Sequence, residues 1–231
     1  MKTCIALLAS MLCVATPTLA DDDSPSMKID LQSRVSYLNN RIGNDIDHSN
    51  SGFKGEYFLL SVSGQINDQI SYSWRQRLNK KIDNNNMFDA TDWLYVDYKF
   101  APNWSVAAGK QEVLIGGYEY DRNPIDVNAP SEFWNNIAPF QFGASASYTT
   151  TDGSHRFTGQ VSQSPFNMPM HRDMLSYSLF WAGKCGMLST LWSVNMVETT
   201  PYHYISYISL GNRIDINNAS LEFDFMNRAA K

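Results

Sequence analysis

The stretch Asp92–Gln111, DWLYVDYKFAPNWSVAAGKQ, predicts two β-strands joined by a tight turn. Successive side chains of a strand point to opposite faces. In the first half of the stretch, apolar side chains alternate strictly with a set that combines aromatic and charged side chains. One face carries Leu94, Val96, Tyr98 and Phe100, and the other carries Trp93, Tyr95, Asp97 and Lys99. Pro102 and Asn103 suit the turn, and Trp104, Val106 and Ala108 continue the apolar face on the return strand. The stretch therefore predicts a hairpin with one apolar and one polar face.

The same alternation recurs along the chain and predicts an all-β, antiparallel structure of eleven strands. They span 29–39, 55–66, 69–78, the two strands of 92–111, 141–150, 155–163, 174–182, 187–197, 202–210 and 218–226. The strand at 202–210 is apolar on both faces, so its phase, meaning which of its side chains lie on the apolar face of the sheet, stays open.

The connections between these strands alternate in length. Those after the even-numbered strands are short, and those after the first, third, fifth and seventh are long. The longest runs from Glu112 to Phe140. Transmembrane β-barrels of outer membranes have this asymmetry between their two ends. We therefore predict an outer-membrane barrel, with a secreted or periplasmic β-sandwich binding module as the alternative.

The first twenty residues have the composition of a secretory signal peptide. Lys2 precedes the apolar run from Ile5 to Val14, and small residues precede the expected cleavage after Ala20. We expect residues 21–27 to be a disordered lead and residues 21–231 to form one domain. That mature chain contains one cysteine, Cys185, so it forms no internal disulfide.

The charge balance and the distribution of reactive residues disfavour nucleic-acid binding and catalysis. Removing Lys2 leaves 17 basic and 23 acidic residues, a net charge of −6. The four histidines are scattered, no His-x-Ser pair suggests a lipase-like site, and no spacing suggests a metal site. We therefore predict no enzyme activity, no cofactor and no nucleic-acid partner.

The polar face of the predicted strands carries charges of both signs. The candidate pore-lining residues on strands are Arg34, Arg75, Arg77, Asp97, Lys99, Arg156 and Glu222, with Asp30 and Asp224 on the same face. Mixed charges around a wide pore discriminate weakly among solutes.

The long connection Glu112–Phe140 contains the apolar residues Phe133, Trp134 and Ile137, which are costly to leave in water. In a wide barrel the nearest surface for them is the inner wall. We therefore expect this loop to dip into the lumen. Its polar residues Glu119, Asp121, Arg122 and Asp126 would then border the passage. Arg122 and Asp126 are the best candidates for the constriction, with Arg75 and Arg77 opposite.

Three segments resemble the phosphate-selective porin (O and P) family. They are GEYFLLSVSG at 55–64, YSWRQR at 72–77 and AGKQE at 108–112, the last directly before the long loop. The resemblance implies a sixteen-stranded homotrimeric barrel in the outer membrane, surrounded by lipid and inserted by the barrel-assembly machinery. It also implies that the third long loop narrows the pore. The family's ladder of arginine and lysine residues is not evident, so the selectivity among solutes stays open.

The strand count and the last residues depart from a complete barrel. Bacterial single-chain barrels have an even number of strands, and Ala229, Ala230 and Lys231 lack the aromatic final residue typical of this class. We expect the chain to be the front of a longer, sixteen-stranded barrel. The alternative is a miscounted barrel of ten or twelve strands.

Overall fold

A computed structural model describes residues 7–9, 26–82, 86–166 and 173–230 of the chain. Eleven long strands account for most of these residues. They are β2 (Ser26–Leu38), β5 (Gly52–Gln65), β6 (Ile70–Arg77), β7 (Thr91–Ala101), β8 (Trp104–Glu112), β9 (Phe140–Thr149), β10 (His155–Gln163), β11 (Leu175–Cys185), β12 (Leu188–Thr200), β13 (His203–Ile216) and β14 (Ala219–Ala230). The shorter strands are β1 (Leu7–Ala9), β3 (Arg41–Ile42) and β4 (Asp45–Ile46). The predicted all-β class and the eleven predicted strands are confirmed.

The chain divides into two units, and the first comprises Met1–Gly64 and Trp74–Asp92. Within it β1 pairs antiparallel with β2, with Leu7 opposite Tyr37. β1 lies inside the predicted signal peptide, whose cleavage remains a prediction. β3 and β4 form a small hairpin within the connection between β2 and β5.

The second unit comprises Gln65–Ser73 and Trp93–Lys231. From β7 to β14 every strand in it pairs antiparallel with the next along the chain. The predicted turn at Pro102–Asn103 joins β7 to β8, and the Asn103 side-chain amide donates to the carbonyl of Thr149 at 2.6 Å. Consecutive strands thus form hairpins, as the alternation predicts.

The two faces of these strands differ in exposure, since apolar side chains on one face are exposed and polar side chains on the other are buried. In the second unit Leu179 is 69% exposed and Leu221 is 67% exposed, whereas Ser178 and Asn195 on the other face are 3% and 1% exposed. The first unit repeats the pattern, because exposed Val35 lies between buried Arg34 and Ser36. A soluble β-sandwich would bury its apolar faces. An exposed apolar face beside a buried polar one is typical of strands that face lipid.

The connections keep the predicted asymmetry. Those at 102–103, 150–154, 186–187 and 217–218 are short, and they lie at the same end of the antiparallel strands. The connection between β8 and β9 is the longest in the described chain, and it carries two short α-helices and a 3₁₀ turn. Within the described ranges, no helix is both long and apolar enough to cross a membrane.

Several predicted strand boundaries are wrong. β13 continues past the predicted end at residue 210 to Ile216, because Ile214 and Ile216 extend the alternation beyond Gly211. β2 begins at Ser26, so residues 26–27 are not part of a disordered lead, and residues 21–25 lie outside the described chain. Cys185 ends β11 instead of lying in the turn that follows. The open phase of the 202–210 strand is resolved in β13, where Tyr207 is 2% exposed and Ile208 is 48% exposed.

Candidate functional site

The long connection lies against the polar face of the second unit. It holds α1 (Tyr118–Asp121), a 3₁₀ turn (Pro124–Asp126) and α2 (Glu132–Asn135). The backbone amide of Val113 donates to the carbonyl of Pro139 at 2.7 Å, which closes the base of the loop. We name residues 113–139 the long loop.

Polar side chains of β10, β12 and β13 satisfy the backbone of the first part of the long loop. At Leu114, the amide donates to Gln160 Oε1 at 2.9 Å and the carbonyl accepts from Asn195 Nδ2 at 2.6 Å. At Gly116, the amide donates to Ser193 Oγ at 2.8 Å and the carbonyl accepts from Ser209 Oγ at 2.6 Å. Buried backbone groups need such partners, so these side chains specify the path of the loop across the sheet.

The long loop reaches far along the strands. It leaves β8 at the end where the long connections lie, and the backbone amide of Gly117 donates to the carbonyl of Leu191 at 3.1 Å, toward the short turn at 186–187. The loop therefore runs along β12 from Asn195 to Leu191.

Apolar residues of the long loop form a core of their own. Val113, Ile115, Tyr120 and Ile137 are at most 8% exposed, and Phe133 and Met226 pack against them. The Phe133 ring also contacts the ring of Tyr207 on β13, at 5.7 Å between centroids. Burying a large apolar side chain contributes about 1.5–3 kcal/mol. The expectation that Phe133 and Ile137 need a surface is thus met by the polar face of β13 and β14.

A cavity of 770 Å³ lies beside the long loop in the second unit. Its charged lining residues are Asp97, Lys99, Glu112, Asp121 and Arg156. Ser105 Oγ donates to Asp97 at 3.2 Å, and Arg156 Nη2 donates to Ser147 Oγ at 3.0 Å. The Asp121 side chain is accessible to water, yet the surrounding loop and sheet partly desolvate it and raise the pKa of its carboxyl above the usual value. Three predicted site residues, Asp97, Lys99 and Arg156, therefore lie together.

A second cavity, of 370 Å³, lies beside the same helix α1 and brings together Arg122, Asp126 and Glu222. Arg122 Nη2 donates to Glu222 Oε2, which ties the loop to β14. Arg213 Nη1 lies 3.6 Å from the other oxygen of Glu222. Arg122 and Asp126, the predicted constriction residues, thus border an open space on the polar side of the sheet.

The remaining predicted residues belong to the first unit, where each arginine is paired. Arg34 Nε lies 2.5 Å from Glu56 Oε2, and the guanidinium stacks over the Tyr57 ring. Arg75 Nε and Arg77 Nε donate to the two oxygens of Asp92, at 2.8 and 2.6 Å. These arginines therefore do not present isolated positive charge.

Sequence reasoning missed Glu56 and Asp92 as partners of the arginines and Gln160, Ser193 and Asn195 as partners of the loop. Asp92 opens the stretch from which the fold was predicted, and an acidic residue in the strand that follows Arg75 and Arg77 was a usable signal. The loop partners gave no signal, because a serine or glutamine on a polar face looks the same whether or not a loop lies over it. Among the described residues, no three His, Cys, Asp or Glu side chains form a group that could hold a metal ion.

Comparison with known proteins agrees with this architecture. A search of the curated proteins found no match. The family model described as phosphate-selective porin O and P matches residues 27–226, which cover all but the ends of the chain. The exposed apolar face and the polar face covered by a long loop are what a porin needs. The chain therefore belongs to the phosphate-selective porin O and P family.

Proposed function

We propose that this chain allows passive diffusion of small hydrophilic solutes, small anions among them, across the outer membrane. The polar face of its strands lines the passage and the long loop narrows it. The observation that carries the proposal is the position of the long loop, whose backbone is bound by Gln160, Ser193 and Ser209 on the face opposite to the exposed apolar side chains.

The face of the sheet that the loop covers supports an inward position. An outer loop packed on a neighbouring subunit would contact the rim or the apolar face of the strands. Instead Leu114 and Gly116 contact side chains from the middle of β10, β12 and β13. A polar face that carries a loop of this kind is the inner wall of a porin.

The charges beside the loop favour weak discrimination among solutes. The larger cavity is lined by three acidic and two basic residues, so neither sign dominates. In the first unit Glu56 pairs with Arg34, and Asp92 pairs with both Arg75 and Arg77, so two of the three positive charges are balanced. Selection in a pore depends on the net field at its narrow part, and here the charges largely compensate. The chain's family is one of channels, and we propose no chemical step for it.

We propose the partners that a porin of this kind requires. The exposed apolar face would be covered by outer-membrane lipid, the barrel-assembly machinery would insert the chain, and the full-length protein would form a homotrimer. The exposed aromatic and aliphatic side chains Phe157, Leu179 and Val194 support the lipid contact.

Recording from planar bilayers tests the channel function. After cell fractionation the full chain should be found in the outer membrane. The purified chain should then give stepwise increases in conductance. Recovery from the soluble periplasm would contradict the membrane location. A correctly inserted chain that leaves the bilayer silent would contradict diffusion and would favour a structural or adhesive role.

A further inference from the structure

The first turn of α1 has no capping side chain of its own. Gly117 occupies the N-cap position and offers no side-chain acceptor for the free amides of the helix. Asp224 of β14 supplies both acceptors. Tyr118 donates its backbone amide to Asp224 Oδ1, and Glu119 donates its amide to Asp224 Oδ2, each at 2.9 Å. The helix is thus capped by a residue more than a hundred positions away.

Two glycines allow Asp224 to come this close to the loop. Gly117 has φ +114°, and a Cβ on it would lie 3.2 Å from Asp224 Oδ2. Gly211, the neighbour of Asp224 across β13 and β14, faces Gly117 so closely that a Cβ on Gly211 would lie 2.7 Å from Gly117 Cα. Glycine is therefore required at both positions for the loop backbone to rest on the sheet.

The neighbouring ion pair is a weaker attachment. The side chain of Arg122 is 48% exposed and that of Glu222 is 24% exposed, so water and salt screen their attraction. Glu222 also lies near Arg213, which would keep it partnered if Arg122 moved away. Asp224 is also exposed to water, but its carboxylate accepts two charge-assisted hydrogen bonds from backbone amides, whose positions are fixed by the loop, and this makes it the stronger contact.

We infer that Asp224 is a positioning residue that holds the deepest turn of the long loop, residues 117–119, against the inner wall, with Gly211 as the surface on which Gly117 rests. This inference rests on the proposed function, in which the long loop narrows the passage. It assigns the position of the constriction to strands β13 and β14, far along the chain from the loop itself.

Trypsin cleavage of the folded full chain tests the inference without measuring current. The bond after Arg122 follows the segment that Asp224 holds, and a protease cuts such a bond when the segment opens. In Asp224→Ala, cleavage between Arg122 and Asn123, followed by mass spectrometry, should be at least about tenfold faster than in the wild type, because the variant loses two charge-assisted hydrogen bonds and the loss of one alone accounts for about that factor. Asp224→Asn keeps one carbonyl acceptor and should give an intermediate rate.

Asp215→Ala is the matched control, because Asp215 is an acidic residue of β13 that pairs with Arg213 near the turn. It should cleave at the wild-type rate. Heat-modifiable migration on a detergent gel confirms that each variant is folded. Equal cleavage rates in the folded Asp224→Asn, Asp215→Ala and wild-type chains would overturn the role of Asp224. Rapid cleavage of the wild type itself would instead contradict the inward loop and with it the proposed function.

Discussion

Deleting residues 119–132 should enlarge the unitary conductance. The deletion removes most of α1, the 3₁₀ turn and the charged residues Arg122 and Asp126, which border the smaller cavity. Val113, Ile115 and Ile137 remain, so the base of the loop keeps part of its apolar core. Conductance depends on the width of the narrowest part of the passage, and single-channel recording in planar bilayers measures it.

The connection between β2 and β5 provides the control for this deletion. Asn40, Asp47 and Ser51 hydrogen-bond with other residues of that same connection. Deleting residues 43–49 should therefore leave the conductance unchanged. If removal of 119–132 also left it unchanged in a folded chain, the long loop would lie outside the passage.

Replacing Asp92 by alanine should destabilise the first unit by about 3–5 kcal/mol, the usual result of removing one partner of a buried ion pair. The side chains of Arg75 and Asp92 are each 5% exposed, and Arg77 shares the same carboxylate. The variant would leave two guanidinium groups on the polar face without their common acceptor. We expect the folded form to be lost at a clearly lower temperature on a heated detergent gel.

The exposed pair Arg213–Asp215 is the control for this prediction. Its side chains are 39% and 41% exposed, so Asp215→Ala should change stability by no more than about 1 kcal/mol. An equally small effect of Asp92→Ala would mean that Asp92 does not stabilise the two arginines.

The strands could be predicted from the sequence because alternation determines which face each side chain occupies. In β11, for example, Tyr177 and Leu179 are exposed while Ser176 and Ser178 are buried, as the period of two requires. The end of β13 was missed because Gly211 resembles a strand break. In the structure this glycine lies under Gly117 of the long loop, and a contact so distant in sequence leaves no local signal.

The site could be predicted in part for the same reason. The apolar residues Phe133 and Ile137 indicate that the long loop needs a surface to pack on. The free-energy cost of leaving such side chains in water is enough for that prediction. Which residues form that surface depends on how β13 and β14 lie beside one another. The mixed charges of the polar face could be predicted, but the pairing of Arg75 and Arg77 with Asp92 depends on which strands are neighbours.

The central claim is that the long loop and the polar face border a water-filled passage while the apolar face meets lipid. Cysteine labelling during single-channel recording tests it most directly, in a chain whose exposed Cys185 is replaced by serine. The account predicts that a charged, thiol-specific reagent lowers the conductance of Asp126→Cys and leaves that of Leu179→Cys unchanged, because Asp126 borders a polar cavity and Leu179 lies on the exposed apolar face. A block from position 179, or no change on labelling at position 126, would contradict it.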